Sequence, residues 1–129
     1  MSYTIDRTFK DSGFDAITER TRAALADNGF GVLTEIDVAA TMKKKLDTDM
    51  PPYLILGACN PKMAYEAIGI EPRIGAMLPC NVIIRDTGAG EITVSAVDPV
   101  ASMQAVGNQR LTEVAGEVRA MLETVIRNV

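Results

Sequence analysis

At 129 residues with 47% apolar content, the chain is long enough to bury one core without disulfides or a structural metal. Seventeen acidic against thirteen basic residues give a net charge of −4, and six aromatics include no tryptophan, which argues against nucleic acid as a partner. Histidine is absent, which excludes Ser-His and Cys-His dyads and most zinc or non-haem iron sites, and leaves proton transfer to Asp, Glu, Lys, Tyr or Cys.

Tyr3, Ile5 and Arg7 alternate with Thr4, Asp6 and Thr8, the period of a first strand. Asp11 or Ser12 is expected to cap a helix that buries Phe14, Ile17, Thr21, Ala24 and Leu25 and stops at Asn28-Gly29. In a second strand Phe30, Val32, Thr34 and Ile36 alternate against Gly31, Leu33, Glu35 and Asp37. Asp37 then caps a short helix with Val38, Met42 and Leu46 as its buried line, and Lys43, Lys44 and Lys45 form a solvated flank near its C-terminal dipole. Pro51-Pro52 closes the following loop.

Tyr53 to Ala58 is continuously apolar, as in a strand central to a sheet. Asn60-Pro61 reads as an N-cap with proline at the first helical position, for a short helix with Ala64, Ala67 and Ile68 inward and Gly69 at its end. After Glu71-Pro72 a further turn packs Ile74, Met77 and Leu78 together, and Pro79 breaks it. Cys80 to Arg85 and Glu91 to Ala96 form two strands joined by the glycine-containing hairpin loop Asp86–Gly90. Asp98-Pro99 opens a helical turn through Met103. The clearest helix follows Gly107-Asn108, with Leu111, Val114, Ala115, Val118, Met121, Leu122 and Val125 on one face.

With no linker or repeat, residues 1–129 are one expected domain of α+β class, a mainly antiparallel sheet of about five strands covered by helices. The opening residues carry no apolar leader core and no run approaches ~20 apolar residues, so a cytoplasmic location without a membrane partner is expected.

Gly29-Phe30-Gly31-Val32, Ile36-Asp37, Pro52-Tyr53, Leu56-Gly57-Ala58-Cys59-Asn60-Pro61, Leu78-Pro79-Cys80-Asn81-Val82 and Val97-Asp98-Pro99 together resemble the domain-of-unknown-function 302 (DUF302) family over nearly the whole chain. Glu113 to Arg119 is similar to that family's last helix, while Gln109 stands where many relatives are expected to have proline. The resemblance implies a TATA-binding-protein-like architecture, a curved antiparallel sheet with helices on one side, and a homodimer. It implies no activity, and fold analogy alone does not make the chain a DNA binder.

The chemistry-bearing residues concentrate in the two Cys-Asn steps. Cys59, Asn60, Cys80, Asn81 and the carboxylate of Asp98 are the candidate ligand-binding set, suited to an anionic metabolite or to a soft cation such as copper(I); no cofactor is identified, and no metal site is assigned. The structural alternative makes the cysteines small buried hydrophobes, the asparagines a helix cap and a strand-start turn, and Asp98 a cap. Met42, Met50, Met63, Met77 and Met103 are scattered and read as core gap-fillers, and Arg73 and Arg85 as solvated arginines able to meet an anion. Three readings remain: a ligand-binding homodimer with its pocket near the Cys-Asn steps, a thiol-based redox or soft-metal protein, and a structural or partner-binding domain.

Overall fold

The computed structural model describes residues 2–129. Strand β1 (Thr4–Phe9) is followed by helix α1 (Phe14–Asp27), β2 (Gly31–Asp37), α2 (Val38–Leu46), β3 (Tyr53–Cys59) and α3 (Pro61–Ile70). A 3-10 turn over Pro72–Met77 leads to β4 (Cys80–Asp86) and β5 (Ile92–Val97). The short α4 (Pro99–Ser102), a second 3-10 turn over Gln104–Val106, and α5 (Gln109–Asn128) complete the order. All pairings in the five-stranded sheet are antiparallel, in the order β1-β5-β4-β3-β2, so the α+β expectation holds.

Period two sorts the strands into two faces. Leu54, Leu56, Ala58, Val82, Ile84, Ile92, Val94 and Ala96 point to the main core and are buried there with Ile17, Leu25, Leu122 and Val125 of α1 and α5. A second cluster, with Ala67, Ile74, Met103, Leu111, Val114 and Ala115, lies where α3, the first 3-10 turn and α4 meet the N-terminal half of α5. Met63 packs against both clusters. The opposite sheet face, with Thr4, Asp6, Thr8, Tyr53, Asn81, Ile83, Arg85, Thr93 and Ser95, has no helix laid across it and lines one broad concavity.

Several local expectations change. Gly13, not Asp11 or Ser12, is the N-cap of α1, and it supplies no side-chain bond. β2 shows no buried side, because it is the edge strand and a register shift between Val32 and Thr34 puts an extra residue against β3. Nor does α2 have a buried line: Leu46 is 67% exposed. Ile68 and Met77 are likewise exposed, and α3 runs past Gly69 to Ile70. The expected caps Asp37, Asn60 and Asp98 each accept a backbone N–H of the helix they precede, and Asn108 does the same at the start of α5.

Candidate functional site

The two Cys-Asn steps meet at the neighbouring ends of β3 and β4, but they are not equivalent. Ala58 lies opposite Cys80 and Gly57 opposite Asn81. Cys80 therefore points into the helix-covered side, where it is buried, and Asn81 points to the open face, where it is exposed. Cys59 ends β3 half-buried, and Asn60 leaves the strand to start α3. The Asn60 side chain is engaged at both ends: Oδ1 accepts from Met63 N at 3.1 Å, and Nδ2 donates to Gly29 O at 3.2 Å.

Cys59, Asn60, Met63, Cys80 and Met103 line a cavity of about 40 Å³ at the junction of the two core clusters. Its walls are otherwise apolar. That volume is far below the ~300–1,000 Å³ of a typical metabolite pocket, so nothing larger than a single ion or a water-sized molecule would fit. Burial, with a smaller contribution from Cys59 nearby, pushes the Cys80 thiol up to about 11. Neither cysteine is in a disulfide. A buried thiol held protonated is a poor nucleophile, which removes Cys80 from the roles open to a reactive cysteine.

Asp98 stands apart from this cavity. Its Oδ1 accepts from Val100 N at 2.9 Å and Ala101 N at 3.4 Å, while Oδ2 accepts from Arg119 Nε at 3.0 Å. Arg119 also bonds Glu123 one turn on in α5. The carboxylate thus caps α4 and ties it to α5, as the structural alternative expected, and has little left for a ligand.

The open face brings together side chains that the sequence pattern leaves far apart. Across four strands the register aligns Thr8 with Thr93, Thr93 with Arg85, and Arg85 with Tyr53. One row along lie Asp6, Ser95, Ile83, Ile55 and Ile36, and beyond them Thr4, Val97, Asn81 and Gly57. The concavity over these rows measures about 890 Å³. Thr8 and Thr93 share a hydroxyl hydrogen bond of 2.9 Å, and Arg85 makes no ion pair among the described residues. Of the candidate set, only Asn81 belongs here. The signal that marks the rest is strand parity: Tyr53, Asn81, Ile83, Arg85, Thr93 and Ser95 all fall on the phase opposite the aliphatic core positions.

Among the described residues, no three His, Cys, Asp or Glu side chains gather as a metal cage, and no helix is long and apolar enough to cross a membrane. The family model described as "Domain of unknown function DUF302" matches residues 5–129. A crystal structure of an uncharacterized conserved DUF302 protein from Bacillus stearothermophilus is similar with a TM-score of 0.92, covering 99% of this chain and 98% of that one at 22% identity. At that identity the likeness speaks for the fold. No curated protein matches the chain.

Proposed function

For this chain, which belongs to the DUF302 family, we propose a binding function on the uncovered sheet face, with a small anion carrying an apolar body as the ligand. One observation carries the reading: Arg85, without a carboxylate partner among the described residues, sits in a row of hydrogen-bonding side chains with Thr93, Thr8 and Tyr53. A guanidinium flanked by a hydroxyl and a phenol suits a carboxylate or phosphate. Ile83 offers an apolar seat beside it, and the exposed Asn81 amide can close the far end of the ligand. The concavity is of the right size for such a molecule, whereas the cysteine cavity is too small.

Hexanoate and inorganic phosphate, titrated separately into ¹⁵N-labelled protein, test the reading. Hexanoate is expected to move the amide resonances of residues around Arg85, Asn81 and Thr93, with phosphate alone giving a weaker response. Arg85→Gln should abolish both without changing the rest of the spectrum. Shifts confined to other surfaces, or unchanged binding in Arg85→Gln, would refute it.

Self-association along β2 belongs to the same proposal. β2 has no strand on its outer side, and Val32, Leu33 and Ile36 are 37%, 65% and 48% exposed. A free strand edge pairs with a second copy of itself in antiparallel fashion under two-fold symmetry. With the axis through Thr34, Glu35 meets Leu33 of the second copy and Asp37 meets Gly31, so no like charges oppose. Light scattering should then give twice the chain mass, and Leu33→Lys the single-chain mass. A wild-type chain that stays single at high concentration counts against the pairing.

A further inference from the structure

The cavity at the β3–α3 corner holds more sulfur than either Cys-Asn step announces. Met63 from α3 and Met103, just after α4, join Cys59 and Cys80 on its walls. Four sulfur-bearing side chains from separate segments thus line one space of about 40 Å³, too small for a metabolite and large enough for an ion. We propose that this cavity is a copper(I) site, with the Cys59 thiolate and the Met63 and Met103 thioethers as its donors and the Cys80 thiol on its wall.

Three features of the cavity select the ion. Thiolate and thioether donors prefer a soft cation, and copper(I) is content with two or three of them. Zinc normally takes four nitrogen, sulfur or oxygen donors, and no carboxylate or imidazole lines this space. The apolar walls disfavour net charge, and one thiolate with thioether donors balances the single positive charge of copper(I). Cys59, half-buried at the end of β3, is the thiol with a route to solvent. Binding forms a copper–sulfur bond there and releases the thiol proton to water; copper remains copper(I) throughout and nothing is oxidised.

The site is distinct from the open face, since Cys80 and Asn81 point to opposite sides of the sheet. Copper loading should therefore be indifferent to Arg85→Gln. Anaerobic titration of the reduced chain into the violet copper(I)–bicinchoninate complex should bleach it to an end point of one copper per chain. X-ray absorption at the copper edge should show sulfur neighbours only. Cys59→Ser and Met63→Leu should each weaken copper binding by about tenfold or more. Met63→Leu conserves core volume, and an unchanged circular dichroism spectrum separates loss of a donor from loss of the fold. No transfer from bicinchoninate, nitrogen or oxygen neighbours in the absorption data, or undiminished binding in both variants, would overturn the assignment.

Discussion

The two asparagines share a dipeptide and nothing else. Asn60 follows the last residue of a strand and meets a helix start, so its side chain has a backbone N–H three residues on to accept and Gly29 O to donate to. Asn81 sits within β4, where alternation alone decides its direction. Asn60→Ala should cost about 1–2 kcal/mol, measured by urea unfolding, whereas Asn81→Ala should be nearly neutral for stability and weaken hexanoate binding instead. The cap is legible in the sequence because it is local; which face Asn81 takes is not, until the phase of the strand is fixed by its neighbours. Gly57, opposite Asn81, is a sharper case. A Cβ there would meet Thr34 Oγ1 at 2.1 Å and Pro79 Cγ at 2.7 Å, so Gly57→Ala should destabilise by roughly 1–3 kcal/mol through overpacking. The Cys80 thiol gives a pH signature. Its folded pKa of about 11 lies above the ordinary value of 9.0, so the unfolded chain loses this proton first as pH rises. Stability of the metal-free chain is therefore whole below about pH 9 and falls between about 9 and 11, by up to about 3 kcal/mol. Cys80→Ala should flatten that part of the unfolding profile, and an unchanged slope would mean the thiol is not the source.

At the scale of elements, α5 and α2 mark where apolar periodicity informs and where it misleads. Leu111, Val114, Ala115, Val118, Leu122 and Val125 recur over a 20-residue helix, and all are buried. A stripe that long must be covered, so its pattern alone fixes its role. The three apolar positions of α2 span only nine residues and none is fully buried, Val38 and Met42 being half-covered and Leu46 exposed beside the edge strand β2. Edge position is a property of strand order, which no local pattern carries. The contrast is measurable: Leu122→Ala should cost about 2–5 kcal/mol, while Leu46→Lys should stay within about 0.5 kcal/mol of the native chain. Equal losses in the two variants would mean that α2 is covered in solution.

For the molecule as a whole, the decisive step is the return of β5 to pair with β1, which sets β1 at the far edge from β2. Parity in Tyr3–Thr8 already turns Arg7 toward the same side as Ile5, an odd place for a guanidinium beside a core. What the sequence could not supply is its partner, more than a hundred residues on. Arg7 Nη1 donates to the main-chain oxygens of Ile126, Arg127 and Val129 at 3.2, 2.7 and 3.2 Å, and Arg20 Nη2 donates to that of Val129 at 3.1 Å. Both guanidiniums also lie over the Phe9 ring, at 4.7 and 5.3 Å from its centre. β1, α1 and the negative end of the α5 dipole are thus held by two cations stacked on one aromatic ring. Arg7→Ala leaves the last carbonyls of α5 without this donor, in a part-buried place that water only partly replaces. A loss of about 1.5–3 kcal/mol is expected. Arg7→Lys should recover only part of it, since an ammonium lacks the planar fork. Hydrogen exchange should quicken first in the last turn of α5 and in β1, with the β3–β4 pair unaffected. Uniformly faster exchange across the sheet would mean instead that the clasp stabilises the global fold and not this corner.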